Sequence, residues 1–277
     1  MLTREEALKG LTSIDLDLTR LLIVRFIREY FTHSGARAAI VGLSGGLDSS
    51  VTAALLTEAL GKENVRALIL PYEGVSLKSD IEDAISLCES LGVKYEIIDI
   101  RSIVDTVRRS LEGSLGTLGK ITLGNIMART RMILLYAYAN CLNGLVVGTS
   151  DKSEILLGYF TKYGDGAADI MPIGDLYKTQ VRLLAMKLGI PERIVSKASS
   201  PGFWTGHLAE DELGARYEDI DCVLYALIEL GLSPPEVTNA IGIKEETLEI
   251  VLKRLTKYKH KRRPPVIPRI QRLIMRY

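Results

Sequence analysis

The chain has 277 residues, of which 47% are hydrophobic and 25% charged; this supplies a sizeable core and excludes a disordered tract, a collagen-like repeat and a disulfide-stapled miniprotein. The formal charge of +1 conceals a segregation: from Lys253 to the end there are ten basic residues and no acidic one, so the preceding body is nine charges negative. An acidic body of this kind repels a polyanion, and no nucleic-acid partner is expected.

The opening MLTREEALKG lacks the apolar stretch of a signal peptide, and the apolar run Leu21–Ile27 contains Arg25 and is too short to span a bilayer. A cytoplasmic protein without membrane contact is expected. Cys88, Cys141 and Cys222 are scattered in apolar helical contexts and read as buried free thiols. Residues 14–31 predict an amphipathic helix. The short apolar run Ala38–Val41 predicts a buried strand ending in a glycine turn, followed by a helix over Leu47–Leu60 that stops at Gly61. Strands are predicted again over Val65–Leu70, Tyr95–Ile100 and Leu145–Gly148, with helices over Ser79–Leu91 and Ile121–Leu142. After Thr149 the pattern changes to helices and glycine-rich loops. The fold class expected is α/β: a doubly wound parallel sheet covered by helices on both faces, with a helical C-terminal extension. The chain reads as one domain over 1–277, its α/β core at about 20–190 and its helical, basic extension at about 191–277. Ligands of such sheets bind at the carboxyl ends of the strands.

The strongest local signal lies at one of those ends, Ser44-Gly45-Gly46-Leu47-Asp48-Ser49-Ser50. Two adjacent glycines let backbone N–H groups converge on an anion, and the following helix points its positive end at the same place. No Gly-Lys-Ser/Thr follows, so this is not a Walker loop, and G-x-G-x-x-G is absent from it. Asp48 adds a carboxylate to an anion site, which implies an intervening Mg²⁺. Glu154, after the fourth predicted strand, occupies the same sheet edge and is the second expected metal ligand. Lys178 is expected in an ordered loop near Gly174 and Asp175, where its charge can neutralise phosphate.

S-G-G-x-D-S resembles the pyrophosphate-binding loop of the ATP pyrophosphatases, which cleave ATP between the α and β phosphates and transfer AMP to a substrate oxygen. Three further stretches narrow the likeness: GNIMARTRM at 124–132; GTSDKSE at 148–154, continuing through GYFTKYGDG at 158–166 to Asp169 and PIGDLYKT at 172–179; and His260-Lys261. Taken together the chain is similar to the ammonia-dependent NAD synthetases from about Ala38 to the tail. The resemblance implies ATP contacts at Gly42, Leu43, Ser44, Gly45, Gly46, Leu47, Asp48, Ser49, Thr149, Lys178 and Ser200, with Mg²⁺ on Asp48 and Glu154. It implies deamido-NAD⁺ contacts at Arg129, Lys162, Asp169, His260 and Lys261, residues whose charges suit a pyrophosphate, a nicotinate carboxylate and a ribose diol.

The reaction implied has two steps: the nicotinate carboxylate attacks the α-phosphorus of ATP and expels pyrophosphate, then ammonia attacks the adenylated carbonyl to give NAD⁺ and AMP. Asp48, Lys178 and Asp165 are the candidate catalytic residues, Asp165 as the group that orients or deprotonates ammonia. The chain shows no glutaminase segment, so free or delivered ammonia is expected, and a homodimer is implied with the Ile121–Leu142 helix as an interface element. Residues 196–213, with Phe203 and Trp204, read as a lid over ATP. Ser199 and Pro201 around Ser200, and His207, depart from the family pattern there. The alternatives are another ATP pyrophosphatase acting on a purine nucleotide or tRNA, or a non-catalytic adenine-nucleotide-binding protein. The tail cations beyond His260-Lys261 have no assigned role.

Overall fold

The computed structural model describes residues 3–268 and 270. Apolar residues in the central strands alternate between two cores, and this alternation sets the architecture. In β1 (Ala38–Gly42), Ala39 and Val41 face one cluster while Ala38 and Ile40 face another. The same division splits Ala67 and Ile69 from Leu68 in β2 (Val65–Ile69), and Val147 from Val146 in β4 (Gly144–Val147). A sheet apolar on both faces must be covered on both, as parallel sheets are. All strand pairs are parallel, in the order β3-β2-β1-β4 with β3 at Lys94–Ile97. β3 is an edge strand whose exposed Lys94 and Glu96 discourage further pairing.

The first face carries α2 (Leu16–Ser34), α3 (Leu47–Leu60), α4 (Lys78–Leu91), α8 (Lys178–Lys187) and the short α9 (Glu192–Val195). The second carries α5 (Arg101–Leu115) and α6 (Lys120–Leu142). A third core joins α1 (Arg4–Thr12) and α7 (Lys152–Leu157) to the helices α10 (Ala209–Leu213), α11 (Tyr217–Ile228), α12 (Pro234–Ile241) and α13 (Glu245–Lys257). The helices after about residue 190 therefore take in the other end of the chain. Gln180 on α8 also donates to the carbonyl of Leu11 at 2.8 Å, which ties this core to the sheet layer.

The α/β class, its parallel sheet and the bounds of α3 agree with the sequence. Two helices lie outside the elements expected from the sequence. In α5 only Val104 is fully buried, and α1 is short, though a capping box between Thr3 and Glu6 starts it. No helix among the described residues is long and apolar enough to cross a membrane. The expectation of three buried thiols is corrected: Cys88 and Cys222 are buried, but Cys141 is exposed near the end of α6. The periodicity of α6 is blurred because large apolar residues, Ile121 and Ile133, are exposed as well as the buried Met127, Met132 and Leu135.

Burial pushes the thiols of Cys88 and Cys222 up to about 11, which suppresses the reactive thiolate. Ellman's reagent should therefore titrate one thiol in the native protein, Cys141, and three after unfolding. Two fast-reacting thiols in the native state would contradict this packing.

Candidate active site

β1 has neighbours on both sides, and the chain winds outward from it toward β2 and β3 in one direction while β4 lies in the other. The crevice at such a reversal lies between the loops that leave β1 and β4. The loop after β1 is held by its own hydroxyls. The amide of Gly46 donates to Ser44 Oγ at 3.3 Å, the Oγ atoms of Ser44 and Ser49 are 3.1 Å apart, and Ser50 Oγ donates to the Gly46 carbonyl at 2.7 Å. Gly45 has φ +75° and its backbone lies against Asp80 of α4, where a Cβ would overlap the Asp80 carbonyl oxygen. Lys197 locks this approach, donating to the Gly45 carbonyl at 2.9 Å and to Asp80 and Asp83 at 2.8 Å each.

The loop after β4 runs through Thr149 to Asp151, which caps α7: its Oδ1 accepts the amide of Glu154 at 2.8 Å. Asp-x-x-Glu is a capping box, so Glu154 is fixed in the first helical turn. The third segment extends the sheet by a bridge between Val147 and Ile170, then turns through Ile173 into α8. Lys178 is the first residue of that helix and is 0% exposed, not the loop lysine expected. The amide of Lys178 donates to Ser153 Oγ at 3.0 Å. Ser153 in turn donates to Asp221 Oδ1 at 2.5 Å, while Thr179 donates its amide and hydroxyl to Asp221 Oδ2 at 2.8 and 2.6 Å. Asp221, fully buried on α11, thus pins the starts of α7 and α8 side by side.

The side chain of Lys178 then joins all three segments. Its Nζ is 2.7 Å from Asp48 Oδ2, 2.9 Å from Glu154 Oε1 and 2.9 Å from Asp151 Oδ2, and 5.2 Å from the centroid of the Tyr217 ring. Burial opposes its charge, but Asp151, Asp48 and Glu154 outweigh that and hold the ammonium well above the usual lysine range. Burial raises the Glu154 carboxyl in spite of Lys178, and Asp48 adds to the rise; burial likewise raises Asp151. Three carboxylates share one cation, leaving the cluster short of positive charge. Asp48 Oδ1 is buried with no hydrogen-bond partner. An open carboxylate oxygen in an electron-rich site fits a hard divalent cation. Among the described residues no three His, Cys, Asp or Glu side chains form a self-sufficient metal cage; two carboxylates completed by phosphate oxygens is the pattern magnesium takes.

The remaining expected residues form a separate group. Arg129 on α6 donates to the Lys162 carbonyl at 3.2 Å, and Lys162 Nζ donates to the His260 carbonyl at 2.9 Å. Gly164 lets its loop approach α6, since a Cβ there would crowd Ala128 and Thr161; a Cβ on Gly124 would overlap the Phe203 ring of the 196–213 segment. Asp165 Oδ1 accepts the amide of Thr161 at 2.9 Å. Asp169 already has partners at both oxygens, the amide of Val146 at 2.7 Å and Tyr136 Oη at 3.3 Å. Lys261 lies in a 3-10 turn over Lys259–Arg262 and donates to the carbonyls of Gly158 and Phe160 at 2.8 and 2.6 Å. Ser200 is exposed and accepts the amide of Gly202 at 3.1 Å. No hydrogen bond or ion pair joins Ser200, Thr149 or Asp169 to the Lys178 cluster. His207, which departs from the family pattern, is a buried loop residue; it stacks on Trp204 with centroids 3.5 Å apart and lies 2.8 Å from Glu212. Asp151, Asp221 and Lys197 complete the site beyond the residues expected from the sequence. The Asp-x-x-Glu box was the one available signal for the first of them.

Residues 21–265 match the family model described as NAD synthase. A relative from Hyperthermus butylicus, named NH(3)-dependent NAD(+) synthetase, is 48% identical over 94% of each chain. Among solved structures, the NH3-dependent NAD synthetase of Campylobacter jejuni is 36% identical, with a TM-score of 0.78 over 92% of this chain and 100% of that one. The NMN synthetase of Francisella tularensis is 32% identical, with a TM-score of 0.81 over 93% and 100%.

Asp221→Ala leaves two hydroxyls and an amide without their acceptor, at a cost of roughly 3 kcal/mol or more. Urea denaturation should show that loss, and a change below about 1 kcal/mol would remove Asp221 from this supporting role.

Proposed function

The chain belongs to the NAD synthase family, and on that premise we propose that it is an ammonia-dependent NAD⁺ synthetase, a carbon–nitrogen ligase that amidates deamido-NAD⁺ at the expense of ATP. The observation that carries this reading is the meeting of Asp48, Glu154 and Lys178 beside an anion-binding glycine loop. That combination suits adenylyl transfer, in which positive charge must be supplied along a polyphosphate while its α–β bond breaks.

The glycine loop, with Gly42 to Ser49, receives the phosphates of ATP. Thr149 and Ser200 are assigned to the same nucleotide. Lys178 stabilises the charge that develops as the substrate carboxylate displaces pyrophosphate, and the backbone N–H groups at the start of α3 act on the same oxygens. Asp48 and Glu154 hold Mg²⁺, which supplies further positive charge to the phosphates when bound. Arg129, Lys162, Asp169, His260 and Lys261 are assigned to the dinucleotide, and the contacts among Arg129, Lys162 and the 260–261 turn support their acting together. For Asp169 and Lys261 the intramolecular hydrogen bonds above have to be shared with substrate or exchanged for it. Asp165 takes up a proton from the incoming ammonia; the Thr161 amide on its Oδ1 fixes the direction of the carboxylate. The 196–213 segment closes over the nucleotide, and the packing of Phe203 on Gly124 couples it to α6. Unpaired thiols at all three cysteines agree with a cytoplasmic location.

We also infer a homodimer. Ile103, Val107 and Leu115 on α5, and Ile121 and Ile133 on α6, are large apolar side chains left exposed on one face of the sheet. A second copy of that face would cover them.

Purified protein given ATP, Mg²⁺, ammonium and deamido-NAD⁺ should release pyrophosphate and AMP and form NAD⁺. The NMN synthetase of Francisella tularensis warrants a parallel reaction with nicotinic acid mononucleotide; faster turnover of the mononucleotide would overturn the choice of dinucleotide. Asp48→Asn should lower turnover by at least about 100-fold with circular dichroism unchanged. Retained activity would take Asp48 out of the metal site. Sedimentation velocity should give a species of twice the chain mass, and a monomer at micromolar concentration would refute the dimer.

A further inference from the structure

Two carboxylate oxygens in the Lys178 cluster are buried without a hydrogen-bond partner, Asp48 Oδ1 and Asp151 Oδ2. Such atoms are rare, because leaving a buried acceptor unmet is costly. Here they lie on two of the three groups that surround a single ammonium. Lys178 donates to Asp48 Oδ2 and Glu154 Oε1. Asp151 Oδ2 is within ion-pair distance, at 2.9 Å, yet makes no hydrogen bond. Asp151 is 0% exposed, and its other oxygen is held by the amide of Glu154. It can neither reach water nor turn away.

Building on the proposed ATP-dependent ligase reading, we propose that Lys178 occupies the space between Asp48 and Glu154 as a stand-in for the divalent cation, and that Asp151 is the positioning residue that receives the ammonium when the cation enters. The two oxygens are those that the cation-bound arrangement would use: Asp48 Oδ1, which has no partner, for the cation, and Asp151 Oδ2, already 2.9 Å from Nζ, for the lysine. Like charges a few ångströms apart in a poorly screened site repel strongly, so the ammonium must withdraw. Its backbone cannot follow, because the Lys178 amide is held by Ser153 and through it by Asp221. The side chain therefore shifts its donors to Asp151, the one of its three carboxylate contacts that the cation does not take. This keeps the cation site in shape before cation binds, and it frees a Lys178 proton for phosphate only once the cation is in place.

The test uses the full chain without nucleotide and reads Mn²⁺ binding by electron paramagnetic resonance. Asp151→Asn keeps the cap of α7, since Asn caps as well as Asp, but removes the charge that receives the lysine; Mn²⁺ affinity should fall roughly tenfold. Lys178→Gln removes the competing cation while retaining donors for Asp48 and Glu154, and Mn²⁺ should bind more tightly than to the unaltered protein. In the double variant the Asp151→Asn penalty should shrink, because no ammonium remains to be received. Three results overturn the proposal: unchanged affinity in Asp151→Asn, no gain in Lys178→Gln, or a penalty equally large with and without Lys178, which would mean that Asp151 acts on the cation directly. Should Lys178→Gln fail to fold, Lys178→Met takes its place in both the single and the double variant. Mn²⁺ coupling without NAD⁺ formation would keep this handover and reject the ligase reading; NAD⁺ formation without coupling would do the reverse.

Discussion

The Lys178 ammonium is the interaction on which the functional end of the molecule depends. It neutralises carboxylates delivered by two strand-end loops, after β1 and after β4, from its own place at the head of α8. Removing one partner from a buried ionic group strands the others in a medium that solvates them poorly, which makes the cluster far more costly to break than to keep. Asp221 carries part of this constraint. By bonding Ser153 and Thr179 together it sets the separation of α7 and α8, and so the position from which Lys178 reaches its partners. The same cluster joins the sheet layer to the C-terminal helices, since Tyr217 and Asp221 both belong to α11.

Local patterns disclosed much of this arrangement. The short apolar run of β1, the glycine pair after it and the Gly61 stop identify the strand–loop–helix unit that holds Asp48. The resemblance in the 124–179 region marked Glu154 and Lys178. What stayed hidden was hidden for physical reasons. Lys178 looked like a loop residue because α8 starts from Tyr177, which is not a typical helix-capping residue. Asp221 is 68 positions from Ser153, and no local signal distinguishes a carboxylate that will be buried against distant hydroxyls from a solvated one. Asp151 could have been read from its capping box, but its contact with Lys178 could not. α5 is not among these: Val104, Val107, Leu111 and Leu115 recur at helical spacing, a signal present in the sequence although only Val104 becomes fully buried.

The basic tail also takes on a different character in three dimensions. Among the described residues from Lys253 on, no cation makes an ion pair with the acidic body. Lys261 and Arg262 donate instead to main-chain carbonyls around α7, of Gly158, Phe160 and Leu156. The Arg254 guanidinium lies over the rings of Tyr159 and Tyr258. Carbonyls at a helix C-terminus carry partial negative charge, and cations there are favourable without any formal anion. Arg269, Arg272 and Arg276 lie outside the described residues.

The docking of α1 into the third core has a consequence for how the protein is made. Arg4 bonds Asp219 across 215 positions of sequence, and Ala7 and Leu11 are buried among helices from the far end of the chain. α1 therefore waits, without its apolar partners, until the helices between about 209 and 257 have been translated. Contacts this remote in sequence form late and slowly, and the unpartnered helix is exposed to mispairing in the meantime. The C-terminal layer can close only after α11, α12 and α13 have been made.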